Sequence, residues 1–376
     1  MSVLKRTPFF RKFYRRVEAL GGMHNAHLHL DRAGILDSHY FVDNDHDVLR
    51  NSHISLHQKH HLINTIHNGP AYDTDDLTRR VNECLDDMVA CKTRRADTLV
   101  DVTADRVQLS ALHTLQQIKQ QREAEIEILL GAYSPLGFND REPQRWEIFA
   151  KGVSQADFIA ALPEADDTDD YPDNIGFMEH CRRTLELAAA QGKMIHVHTD
   201  QRNEPSENGT EQLLEAIDRY GAPQPVDGEP MVWAVHMISP STYDEARFER
   251  LVDNLLRHQV GVICCPSAAI GMRQIRPLMT PTYNSIPRVL ELAAAGVPVR
   301  IASDNIADIC SPTTTADLTD EVLVLSAALR FYHPDILAKF AVGTTLDDAE
   351  RRLISDHLAK NQQEIDNILQ QIEPYG

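Results

Sequence analysis

The sequence predicts an α/β fold, a (β/α)8 barrel without a complete flanking β-sandwich domain. Eight short apolar runs recur along the 376 residues, amphipathic stretches separate them, and no Gly-rich phosphate turn follows the first run. Strands alternating with helices build parallel βα units with right-handed crossovers, and eight such units suffice to close a barrel. A doubly wound open sheet would carry that Gly-rich turn at its first strand–helix junction.

The first element is a basic, amphipathic segment over residues 1–22, expected as a helix across the bottom of the barrel rather than a targeting peptide. Strands are then expected at 23–30 (MHNAHLHL), 98–103 (TLVDVT), 126–133 (IEILLGAY) and 157–163 (DFIAALP). Four more follow at 194–200 (MIHVHTD), 231–237 (MVWAVHM), 260–266 (VGVICCP) and 297–304 (VPVRIASD). Between them, MEHCRRTLELAAAQGK (178–193) and IPRVLELAAAG (286–296) have helical periodicity, the second stopping on Gly296. The barrel thus spans 23–310 of a single domain, 1–376, and 311–376 forms a helical C-terminal segment.

Two stretches depart from this rhythm. Residues 37–75 carry His39, His46, His53, His57, His60, His61 and His67. The helical period of SLHQKHHLINTIH puts most of them on a solvated rim face rather than around a metal. The second, PEADDTDDYPDN (163–174), is an acidic loop after strand 4, expected as a rim element.

A net charge of −19 argues against nucleic acid or an anionic membrane as partner and leaves a small-molecule substrate. No apolar run reaches the ~18 residues of a membrane span. The six cysteines form no CxxC pair and there is no secretory signal, so reduced thiols and a cytoplasmic location are expected. Self-association into a homo-oligomer is compatible with this composition.

In a barrel of this kind the C-terminal strand ends converge on one mouth. Those ends carry His27 and His29 on strand 1, His198 on strand 5, His236 on strand 6 and Asp304 on strand 8. Alternate residues of a strand face one way, so His27 and His29 both point inward. Imidazoles and a carboxylate so gathered can hold a divalent ion with a position open for water, whose proton it loosens near neutral pH. Asp31 is expected to position this strand or pair with Arg32, and Asp101 and Asp105 to border the mouth. Arg32 and Arg273 are candidate anchors for an anion or carbonyl of the substrate.

With these motifs in place, the chain resembles the amidohydrolase superfamily, and within it the cytosine-deaminase-like branch. The matching stretches are HLHLDR (27–32), IHVHTDQRNEP (195–205), VWAVHMIS (232–239), CCPSAAIGMRQIR (264–276) and VLELAAAGVPVRIASDNIADICSP (289–312), nearly the whole barrel. The resemblance implies that His27, His29, His198 and Asp304 hold one divalent metal, zinc first, with iron or manganese as alternatives. It implies that His236 hydrogen-bonds the reacting group. The implied activity is hydrolysis of a C–N bond in a small, heterocyclic nitrogen compound, most simply deamination. Opening of a cyclic amide, or a metal-binding barrel without turnover, are the alternatives.

The chain departs from this pattern at several places. Those deaminases carry a proton-shuttling Glu three residues after the strand 5 His, and here that residue is Gln201. An amide orients but does not titrate. Either Asp304 and His236 carry all the proton transfer, or another acid such as Glu204 reaches in. In GAYSPLGF (131–138), Pro135 and Leu136 stand where cytosine deaminases read the pyrimidine with a Gln, which argues against cytosine itself. Strand 4 offers no bridging Lys, which favours one metal, and Glu164 beyond it is expected to contact a donor-bearing substrate such as an amine, amidine or guanidine.

Overall fold

The computed structural model describes residues 7–41, 49, 56–272 and 286–371. Its strands are β1 (Met23–Leu28), β2 (Thr93–Asp101), β3 (Glu127–Tyr133), β4 (Phe158–Ala161), β5 (Ile195–Thr199), β6 (Val232–His236), β7 (Gly261–Cys264) and β8 (Val299–Ile301). They form one sheet in sequence order, every neighbouring pair parallel. A parallel bridge between Leu28 and Asp304 joins its two edges. There His29 N donates to Asp304 O at 3.2 Å and Asp304 N to His27 O at 3.0 Å. The expected (β/α)8 barrel is therefore the observed fold, and the backbone that closes it belongs to candidate site residues.

The helices are α1 (Pro8–Ala19), α2 (Leu56–Asn68), α3 (Thr74–Ala90), α4 (Ser110–Arg122), α5 (Gln144–Gln155), α6 (Phe177–Gln191) and α7 (Gly209–Tyr220). They continue with α8 (Glu245–Arg257), α9 (Pro266–Ile270), α10 (Val289–Ala295), α11 (Leu318–Leu329), α12 (Pro334–Val342) and α13 (Asp348–Gln371). The expected first helix is α1, which begins on Pro8 and buries Phe10, Phe13, Tyr14 and Val17. It packs on α12, and Tyr14 Oη lies 2.8 Å from Thr319 Oγ1. No described helix is long and apolar enough to cross a membrane.

Strand periodicity divides the apolar residues into two layers. Along β6, Val232 and Ala234 join the large cluster beneath the helices, while Trp233 and Val235 join an inner cluster with Ala26, Ile263, Cys265 and Ala302. A second inner cluster gathers Leu99, Tyr133, Phe158, Ala160, Leu162 and Ala165. Glycine makes room for the two largest inner rings. A Cβ on Gly261 would sit 2.4 Å from the Trp233 ring, and one on Gly131 2.4 Å from that of Phe158. The β1–β2 pairing slips between Asn25 and Leu28, just where His27 enters the interior.

β2 begins at Thr93, five residues before the apolar run that marks it in the sequence. Its early residues are polar because they pair inside the barrel. Asp97 Oδ2 accepts from His24 Nε2 at 2.9 Å and from Arg95 at 3.0 Å.

Candidate active site

The strand ends bring three imidazoles together. His27, His29 and His198 are all buried, and one ring nitrogen from each lies within 4.8 Å of the others. Asp304 stands beside them, with Oδ1 3.4 Å from His29 Nε2 and 3.9 Å from His27 Nε2. Each ring is held from behind. His198 Nδ1 donates to Ala161 O at 3.0 Å, which turns Nε2 to the cluster. Arg32 Nη2 lies 2.6 Å from His29 Nδ1, on the side of the ring opposite the Nε2 that faces Asp304.

This donor set fits a metal ion. Neutral imidazole is the ligating form. Burial holds His27 well below its ordinary value, helped by neighbouring imidazoles, and burial with the His29 ring beside it takes His198 down to about 3. His27 Nε2 is buried without a hydrogen-bond partner among the described residues. Uncharged nitrogens crowded around an unpartnered donor are what a divalent cation stabilises, and an isolated core would avoid.

His236 ends β6 with its ring centroid 5.4 Å from that of His198 and 6.2 Å from that of His27. Burial lowers its pKa to about 4, against the upward pull of Asp304, so the ring is neutral at pH 7. Its Nδ1 is buried with no partner among the described residues. His236 and Asp304 both adopt left-handed backbone, φ +75° and +61°. Such conformations in residues other than glycine cluster where a site over-determines the geometry.

Glu164 and Gln201 meet at the ends of β4 and β5. Gln201 Nε2 donates to Glu164 Oε2 at 2.8 Å. Burial and the nearby Asp200 carboxylate push Glu164 up to about 7. Glu204 makes no such contact; its backbone N–H donates to Ser239 Oγ at 3.0 Å. Arg273 lies outside the described residues.

Arg32 is 4% exposed, with Nε 3.9 Å from Asp101 Oδ2 and its guanidinium 5.9 Å from the Tyr133 ring. Asp31, expected as a partner for Arg32 or for the strand, accepts from Tyr72 Oη at 3.1 Å and from Asp101 N at 2.8 Å. Tyr72 Oη also lies 2.7 Å from Asp101 Oδ2. The sequence does not single out His196, and it groups His67 with the histidines of the rim segment. His196, one turn of the pleat before His198, places Nδ1 3.4 Å from His27 Nδ1. His67 is fully buried at the end of α2, unlike the exposed His39, with Nε2 3.0 Å from Asp101 and Nδ1 2.6 Å from Asp105.

His67 carries a pH expectation. Burial alone would depress its pKa, but the hydrogen bonds to Asp101 and Asp105 prevail and raise it to about 9. A raised histidine stabilises the fold fully below the unfolded value of about 6.5, and the contribution fades as pH rises through about 9. His67→Gln is therefore expected to destabilise by on the order of 3 kcal/mol at pH 6, the deficit shrinking toward pH 9. Urea unfolding across this range measures it, and a deficit that does not vary with pH refutes the ion pair.

No family model matches the chain. An uncharacterized protein of Haemophilus influenzae is 27% identical over 289 residues, covering 74% of this chain and 96% of that protein. A pterin deaminase of Rhizobium rhizogenes is 28% identical over 153 residues, 41% of this chain and 33% of the relative. Among solved structures, 5-methylcytosine deaminase from Klebsiella pneumoniae, liganded with phosphonocytosine, aligns with a TM-score of 0.71 and 21% identity over 88% of this chain and 75% of that one. N-isopropylammelide isopropylaminohydrolase from Burkholderia multivorans aligns at 0.62 and 18%, over 88% and 74%. Atrazine chlorohydrolase from Arthrobacter aurescens, complexed with zinc, aligns at 0.51 and 12%, over 86% and 71%. The barrel expected from the sequence resemblance is the fold these neighbours share, and by name they are deaminases and hydrolases.

Proposed function

We propose that this chain is a metal-dependent hydrolase that removes an amino group from a nitrogen heterocycle. One observation carries the reading: His27, His29 and His198 converge beside Asp304 at the strand ends, with His236 next to them. The similarity to a pterin deaminase and to a 5-methylcytosine deaminase supports an aminated ring as substrate. We take the ion to be a single zinc, held by His27, His29, His198 and Asp304. When bound, it supplies a Lewis acid that brings the pKa of a coordinated water toward about 7.

The protein's residues do the rest. Asp304 is placed to hold a proton of the attacking water. His236, neutral at pH 7, donates one N–H to the oxygen that develops charge as the ring carbon becomes tetrahedral. Glu164 accepts from an N–H of the substrate, which suits an amino-substituted amidine edge. Arg32 we assign to orienting the His29 ring. All six cysteines are free, which fits a reducing compartment, and we place the enzyme in the cytoplasm.

The test is ammonia release from a panel of aminated pterins, purines, pyrimidines and triazines, with carboxylate formation from lactams run alongside. Zinc-loaded protein is expected to release ammonia from at least one ring, and chelation to lower the rate by at least about 100-fold. Carboxylate without ammonia would establish the cyclic-amide reading instead. A metal-replete protein inert to the whole panel would leave a binding barrel.

A further inference from the structure

Gln201 stands three residues beyond His198, where the resemblance places a proton-carrying carboxylate. The structure sets a carboxylate beside it from the turn that follows the neighbouring strand. Building on the deaminase reading above, we propose that Glu164 has taken over that role. It is the catalytic residue that moves the proton from the attacking water to the substrate nitrogen, and Gln201 is the positioning residue that holds it.

Placement comes first. Glu164 lies in a short 3-10 turn, Pro163–Asp166, directly after β4. Ala161, three residues earlier, is the residue whose carbonyl orients the His198 ring. Glu164 and the metal-facing histidine are thus governed by one strand end. The polarity of the contact comes next. Gln201 Nε2 can only donate, so Glu164 Oε2 accepts at 2.8 Å and Oε1 stays outside that bond.

Charge explains why the exchange is coherent. A Glu at 201 would put two carboxyl groups at hydrogen-bond distance, and such a pair cannot ionise together. The amide removes the conflict, so one titrating acid remains, carried by the turn after β4 instead of the segment after β5. The surroundings keep that acid near neutrality. Burial and Asp200 push Glu164 to about 7, while Gln201 and the Arg202 charge pull it down. Glu207 faces the same group and is itself raised to about 8 by burial and by Glu164. Asp166, on the same turn as Glu164, is engaged 2.7 Å from His180 Nδ1 and does not compete.

The step balances. As the water oxygen bonds to the amino-bearing carbon, the C=N pair moves to the ring nitrogen, and Glu164 takes the water proton and delivers it there. The remaining hydroxyl proton then passes through Asp304 to the amino group. The C–N bond breaks with its electrons on nitrogen, C=O forms, ammonia leaves, and Glu164 is again ionised.

The experiment compares wild type, E164Q and the E164Q/Q201E exchange on a ring the wild type deaminates, and follows the Glu164 carboxyl by carbon-13 NMR. E164Q is expected to lower kcat by about 10²–10⁴-fold with KM changed less than about tenfold, and to abolish the rise in rate with pH near 7. The exchange is expected to recover at least about tenfold over E164Q. The wild-type carboxyl, identified by its loss in E164Q, is expected to titrate near pH 7. A variant that raises KM alone, with kcat and pH profile intact, makes Glu164 a substrate contact and nothing more, and overturns the proposal. So does a carboxyl titrating at its ordinary value of about 4.3. The titration needs no substrate, so it decides the matter even for an inert wild type, a result that would count against the deaminase reading instead.

Discussion

Asp304→Asn is expected to leave the barrel folded while costing it tight metal binding and nearly all turnover. The residue has two separable duties. Its backbone closes the sheet, donating to His27 O and accepting from His29 N, and does so at φ +61°. Asparagine tolerates that left-handed conformation about as well as aspartate, so closure survives the exchange. The side chain is different. Its Oδ1 faces His29 and His27 at 3.4 and 3.9 Å, a carboxylate set beside three clustered imidazoles. An amide removes the negative charge that offsets a dication and can take no proton from water. Turnover is expected to fall by about 10²–10⁴-fold from the lost proton acceptor alone, and further as metal occupancy declines. Metal content by mass spectrometry and zinc-dependent thermal shift read the second effect without any substrate. Full metal content and unchanged turnover in this variant would break the assignment of Asp304.

The positions that the sequence reveals are those whose partners lie at a fixed spacing. His27 and His29 share a face because a strand has a period of two, and the strand order carries His198, His236 and Asp304 to the same mouth. The same period was available for His196 in IHVHTD, where it marks an inward ring two residues before His198. His67 shows the opposite case. Its helix reads as a rim element, and only partners 34 and 38 residues further along the chain reveal that the ring is buried between two carboxylates. The start of β2 was hidden for a related reason. Arg95 and Asp97 are polar but are satisfied by each other and by His24, so an apolar-run criterion passes over them. Glu164 and Gln201 were each visible as residues of interest, yet their pairing depends on how β4 and β5 stagger, which sequence spacing does not state.

His236→Asn is expected to separate catalysis from metal binding. The ring ends β6 at φ +75°, a conformation asparagine also accepts, so the local backbone should hold. Its Nδ1 has no partner among the described residues, and an unpaired buried nitrogen so close to His198 is a donor or acceptor kept for something that arrives. With its pKa lowered to about 4, chiefly by burial, the imidazole stays neutral through the working range. It therefore acts by donating a hydrogen bond where charge develops rather than by giving up a proton. Removing one such donor lowers kcat by about 10²–10³-fold, and because the interaction strengthens only in the transition state, KM should move little. Metal content should equal that of the wild type, since His236 lies beyond the His27, His29 and His198 cluster. The rise in rate near pH 7 should also persist, because on the present assignment it belongs to Glu164. Loss of that limb in the histidine variant would move the proton transfer to His236 and reverse the two roles.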